Sequence, residues 1–113
     1  MGPTSTHRNR RQHQRAALQN QVQFYCNNQL LMGRAVDISE GGLGLVGRFP
    51  QLRRGDLVKL FVSLPCTPSR NKGKLYMLEG RVVWQEEAQI GVSFVDPPLD
   101  SLLEVRGYVK LAA

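Results

Sequence analysis

The segments DLVKLFVSL (56–64) and KLYMLEGRVVWQ (74–85) place a hydrophobic side chain at every second position. In the first, Val58, Leu60, Val62 and Leu64 fall on one face, with Leu57, Lys59, Phe61 and Ser63 on the other. In the second, Tyr76, Leu78, Gly80, Val82 and Trp84 share a face. Successive side chains of an extended chain point to opposite sides, so this period belongs to strands with one buried face. QVQFY (21–25), LLMGRAVDI (30–38), LGLVG (43–47) and QIGVSFV (89–95) complete a set of six strands.

The connections between them are too short to hold crossover helices, which makes the sheet antiparallel. Asn27 and Asn28 suit a tight turn because Asn tolerates positive φ, and Glu86 and Glu87 fall at a second hairpin turn, where adjacent carboxylates are solvated. In a chain of 113 residues, such a sheet removes its exposed edges by closing, so the expected fold is all-β: a six-stranded antiparallel barrel. Only the tail breaks the period. Asp96 can cap a helix beginning at Pro97 or Pro98, along which Leu99, Leu102, Leu103, Arg106 and Val109 recur at helical spacing.

The charge is unevenly placed. Of a net charge of +6, residues 1–36 carry +5, because Arg8, Arg10, Arg11, Arg15 and Arg34 meet no carboxylate before Asp37. Residues 1–15 are too polar to bury the apolar surface that would offset their ordering, so they read as a flexible basic arm ahead of a barrel domain spanning 16–113. Ala16, Ala17 and Leu18 are too few to form the apolar core of a secretory signal. The opening MGPTST matches a myristoylation pattern, but Pro3 argues against lipidation. No apolar run approaches the ~20 residues of a membrane helix, and a cytoplasmic location is expected, either free or as the cytoplasmic domain of a larger membrane protein.

Two cysteines, Cys26 and Cys66, are too few for a disulfide scaffold and read as reduced thiols. His7, His13 and Cys26 lack any zinc-site spacing, so neither a metal nor a cofactor is expected. Trp84 reads as a core or rim residue, and Arg70, Lys72 and Lys74 as a solvated loop.

Two motifs remain. Arg11 and Arg15 form R-x-x-x-R, preceded directly by Arg10, and Asp37, Ser39 and Gly42 form D-x-S-x-x-G at the junction of the second and third strands. The second motif alone also reads as a hairpin whose glycines supply unusual backbone angles. Together, in this order and ahead of a strand pattern ending in Gly91, Val92 and Phe94, the two motifs resemble the PilZ domain, a family of bacterial receptors for cyclic di-GMP. The resemblance covers the chain from about Arg10 to the helix. It implies a six-stranded barrel whose floor holds the second motif and an arm whose arginines fold over the nucleotide. It also gives a ligand-binding set of Arg10, Arg11, Arg15, Asp37, Ser39 and Gly42. In this family an arginine at the position of Arg10 accompanies binding of two intercalated ligand molecules, so two per domain are expected. The DISEGGLGL segment (37–45) also resembles the regulatory domain of bacterial cellulose synthases.

The ligand's chemistry fits these residue types. Cyclic di-GMP has two ionised phosphates and two guanines displaying O6 and N7, and a guanidinium fork matches either group or stacks on a purine. Asp37 can accept from guanine N1 and N2 hydrogens with Ser39 beside it, and Gly42 would admit the ligand close to the backbone. Ordering of the arm, read by a linked effector domain or a downstream protein, would be the output. The chain therefore reads as a binding module and not as an enzyme. A single-stranded nucleic-acid binder, stacking bases on Trp84 or Phe24, would explain the basic arm but leave Asp37 and Ser39 idle. A ligand-free protein adaptor is the third reading.

Overall fold

The computed structural model describes residues 13–65 and 74–112. Seven strands, β1 (Ala16–Ala17), β2 (Gln21–Cys26), β3 (Gln29–Ser39), β4 (Gly42–Val46), β5 (Leu57–Ser63), β6 (Leu75–Glu86) and β7 (Gln89–Phe94), precede one helix, α1 (Leu99–Ala112). All pairings are antiparallel, and the order β3-β2-β5-β6-β7-β4 closes through β3–β4 into a six-stranded barrel. The fold expected from the alternation is the fold observed.

The inward residues fill the barrel as the period requires. Val22, Phe24, Leu45, Leu60, Leu78 and Val92 belong to one buried cluster. The loop after β4 contributes Phe49 and Leu52 to it, and Phe49 meets Phe24 edge-on at 5.3 Å between ring centres. Asn27 and Asn28 both have positive φ, 53° and 64°, and form the tight turn between β2 and β3.

Two β-bulges change which side chains face out. Along β3, Ala35 pairs with Leu45 and Asp37 with Gly44, so Val36 is an extra residue in the ladder. Ala35 and Ile38 both point inward, and Asp37 faces out between them. Strict alternation would have put Asp37 on the core side with Ala35. On β6 the ladder skips Val83, with Val82 pairing to Val92 and Trp84 to Gly91. This bulge moves Trp84 to the outer surface, away from the face it was expected to share with Val82.

The short strand β1 was not foreseen from sequence. It pairs only with the far half of β3, Ala16 with Ile38 and Ala17 with Asp37, where the β2 ladder has ended. Helix α1 packs over this junction through Val105, Tyr108 and Val109, and the Tyr108 hydroxyl donates to the Ala17 carbonyl. The helix starts at Leu99, with the Leu102 amide donating to the Pro98 carbonyl, later than expected. Asp96 is not its cap: its φ of 45° places it in the turn that redirects the chain ahead of the prolines.

Candidate functional site

The antiparallel register of β1 on β3 determines where the leader meets the barrel. One step before the Ala16–Ile38 pair, Arg15 comes opposite Ser39. Its guanidinium spans two acceptors, donating from Nη1 to Ser39 Oγ at 3.0 Å and from Nη2 to Asp37 Oδ1 at 2.8 Å. Ser39 Oγ also accepts from the Gly41 amide at 3.1 Å, so the hydroxyl is held in place by the turn that follows it. Arg15 Nε is buried and has no hydrogen-bond partner among the described residues.

Of the six expected site residues, the fold brings Arg15, Asp37 and Ser39 into one corner. Arg10 and Arg11 lie outside the described residues, as does the arm through residue 12. Gly42 is close by in β4, but its missing side chain leaves room for protein. A Cβ there would lie 2.0 Å from the Val92 carbonyl oxygen and 3.0 Å from Ser93 Cα. This glycine allows β4 to approach β7, which is sufficient reason for its presence.

Residues that sequence reasoning did not assign extend the corner into a shelf. Asp37 pairs with Gly44 on β4, Gly44 with Gly91 on β7, and Gly91 with Trp84 on β6. Two glycines therefore stand between the carboxylate and the indole in the strand order, which lets neighbouring side chains lie close over the sheet. The ring of Trp84 covers Gly91, where a Cβ would fall 2.1 Å from Nε1. A Cβ on Gly44 would lie 3.0 Å from Asp37 Oδ1 and 3.7 Å from the Gln89 side-chain nitrogen. Side chains lie over both glycine positions, so the shelf is the surface they form, with Asp37 at one end and the Trp84 indole at the other. On the other side, the imidazole of His13 lies against Gly41, 2.8 Å from where a Cβ would sit. The glycines on alternate positions of the facing strands, together with a tryptophan, were the available sequence signal; the β6 bulge concealed it.

Helix α1 is tied to the same corner. Arg106 Nη2 donates to Glu40 Oε1 at 3.0 Å, one residue beyond Ser39. The hydrogen bond that Arg106 donates to Glu40, and then the negative charge of Glu40, raise the pKa of Arg106. The corner thus has a strand ladder behind it and a helix beside it.

Among the described residues no group of three His, Cys, Asp or Glu is arranged to hold a metal ion. No helix among them is long and apolar enough to cross a membrane.

The PilZ domain family model matches residues 9–111. Comparison with curated proteins finds no significant match. Among solved structures, the Bacillus subtilis inhibitor of motility MotI/DgrA superposes with a TM-score of 0.73 at 17% identity, covering 90% of this chain and 50% of that one. The chain therefore spans about half the length of that relative. The PilZ domain of YcgR from Escherichia coli, solved with c-di-GMP, gives 0.73 at 13% identity, covering 91% of each chain. The PilZ domain of CeSA from a cellulose-synthesizing bacterium gives 0.64 at 16% identity over 87% of this chain and 93% of that one. At these identities the superpositions speak to the fold, and the family match over residues 9–111 agrees with them: the chain belongs to the PilZ domain family.

Proposed function

We propose that this domain is a receptor for cyclic di-GMP and that the Arg15–Asp37–Ser39 corner seats one of its guanines. The observation that carries this reading is the convergence of Arg15, the last residue of R-x-x-x-R, on Asp37 and Ser39 of the barrel's D-x-S-x-x-G, through hydrogen bonds of 2.8 and 3.0 Å. The c-di-GMP held by the PilZ domain of YcgR, a structural neighbour, supports it.

Arg15 neutralises Asp37. A guanine entering the corner offers N1 and N2 hydrogens to that carboxylate in place of the guanidinium. The displaced fork is then free to bind O6 and N7 or a phosphate, so the exchange conserves the charge-assisted hydrogen bonds and adds new ones. The Trp84 indole, which lies over Gly91, is the aromatic surface on which the purine stacks. Adenine lacks the paired N1 and N2 donors and would leave Asp37 unsatisfied.

Arg10 and Arg11 supply further guanidinium groups to the phosphates and to the exposed face of a second, intercalated ligand, giving two molecules per domain. Ordering of the arm on binding is the output, read by a linked effector domain or a downstream protein. Motility and cellulose production are the processes named for two of the neighbours and are the leading candidates for what it controls.

Isothermal titration with cyclic di-GMP tests the reading. Binding at micromolar affinity or tighter is expected, about −8 kcal/mol or better, with a stoichiometry of two and no heat from cyclic di-AMP. An absence of heat with cyclic di-GMP, together with salt-sensitive binding of single-stranded RNA, would replace this reading with nucleic-acid binding.

A further inference from the structure

The turn between β3 and β4 holds a glycine that its backbone angle does not require. Gly41 is not among the residues with positive φ, so it lies in the half of conformational space open to other residues. What its missing side chain leaves is space, and His13 occupies it. A Cβ at Gly41 would lie 2.8 Å from Cδ2, 3.5 Å from Nε2 and 3.8 Å from Cγ of that imidazole, the three nearest atoms to it. The seat is held from both sides: the Gly41 amide donates to Ser39 Oγ at 3.1 Å, and the Gly41 carbonyl accepts from the Phe94 amide at 2.8 Å.

The imidazole stands next to the corner. Arg15 comes opposite Ser39, and two residues earlier His13 comes opposite Gly41, so both side chains follow the same edge of the β3 hairpin. Arg15 is engaged with Asp37 and Ser39, whereas His13 is exposed. Two residues of chain reach up to about 7 Å, the scale on which a nucleotide separates its base from its phosphate. Histidine changes charge between about pH 5 and 8, and as the cation it donates from both ring nitrogens.

We infer that His13 is a phosphate-binding residue of the nucleotide site, an assignment that rests on the receptor reading above, and that its imidazole takes up a proton as cyclic di-GMP binds. With a guanine in the Arg15–Asp37–Ser39 corner, a phosphate beside the imidazole favours its protonated form, because the opposite charges then share a charge-assisted hydrogen bond. The liganded state holds more protons than the free one, so affinity rises as pH falls. The charged groups around the imidazole are Arg15 on its own segment, Asp37 on β3, Glu40 in the turn and Arg106 on α1, each carboxylate paired with one of the arginines. Protonating Asp37 removes the acceptor for guanine and weakens binding, the opposite sign. Any contribution from Glu40 persists when His13 is replaced, which separates the two.

Isothermal titration of the full chain with cyclic di-GMP between about pH 5.5 and 8 tests the assignment. Affinity is expected to rise about five- to tenfold as pH falls across that range. His13→Gln flattens the profile, whereas His7→Gln, which replaces the chain's other histidine, keeps it. Gly41→Ala displaces the imidazole and weakens binding at the acid end, with no further loss when added to His13→Gln. Native binding that ignores pH, a slope that survives His13→Gln, or a slope lost with His7 instead would overturn the assignment and leave the receptor reading intact. An equal loss from Gly41→Ala in both backgrounds would overturn it too, since the ligand itself would then need that space. No binding at any pH would overturn the receptor reading and this assignment with it.

Discussion

Arg15 lies directly across the β1–β3 ladder from Ser39, and the same guanidinium reaches Asp37 on the neighbouring outward position. A two-residue strand therefore joins the arm to the barrel motif. The Arg15–Asp37 pair is partly solvated, with side chains 19% and 27% exposed, so its contribution to folding is expected to be under about 1 kcal/mol.

That small stability term separates a binding role from a structural one. Arg15→Ala is expected to shift thermal unfolding by no more than a few degrees. It should nevertheless weaken cyclic di-GMP binding by ten- to a hundredfold or more, since each charge-assisted bond is worth about 1.5–3 kcal/mol. Arg15→Lys keeps the charge but loses the fork and should recover only part of the affinity. Calorimetry beside a melting curve on each variant reads both quantities; equal losses in both would make Arg15 a structural residue.

Gly42 behaves in the opposite way. Its position 2.0 Å from the Val92 oxygen, measured from where a Cβ would stand, means that Gly42→Ala forces β4 away from β7. A loss of about 2–4 kcal/mol in chemical unfolding is expected, whether or not ligand is present. Unchanged stability with lost binding would instead return Gly42 to the role of admitting ligand.

The contrast shows what the sequence made legible. Period two in Val58–Leu64 and Tyr76–Val82 was enough to determine the six barrel strands and their inward faces, because each reflects burial on one side of a sheet, and the short connections gave the antiparallel pairing. The Asn27–Asn28 turn was readable for the same local reason. Bulges were not, because the extra residues Val36 and Val83 are ordinary β-formers whose effect depends on the partner strand's register. The corner residues could therefore be named from their spacing, while the outward aim of Asp37, the shelf and the place of Trp84 required the paired strands. The packing role of Gly42 was not legible, because the Val92 carbonyl that its missing Cβ admits lies on β7, distant in sequence.

Trp84 provides the optical test of the shelf. It is the chain's single tryptophan and sits over Gly91, two strands from Asp37. Its emission should change in intensity or wavelength as cyclic di-GMP is added, with saturation at the calorimetric stoichiometry. Asp37→Ala should remove that response. Trp84→Ala should weaken binding by about 1–3 kcal/mol, the range for one base–aromatic stack. An emission that ignores saturating ligand would exclude the shelf from the site.

Cys26 gives the pH dependence. Burial first, and then the nearby negative charge of Asp56, raise its thiol pKa above the usual 9.0. The unfolded chain therefore loses this proton at lower pH than the folded one, and above pH ~9 the unfolded state binds fewer protons. The thiol's contribution to stability is full below its unfolded pKa and is lost as pH rises through the folded value. Urea unfolding between pH 7 and 10.5 should show stability falling more steeply in the native chain than in Cys26→Ala, whose other titrating groups are the same. Parallel slopes would mean that the thiol titrates alike in both states, and a steeper slope in the variant would reverse the sign of the shift. At neutral pH the same burial should make Cys26 slow to react with a thiol reagent until the protein is unfolded.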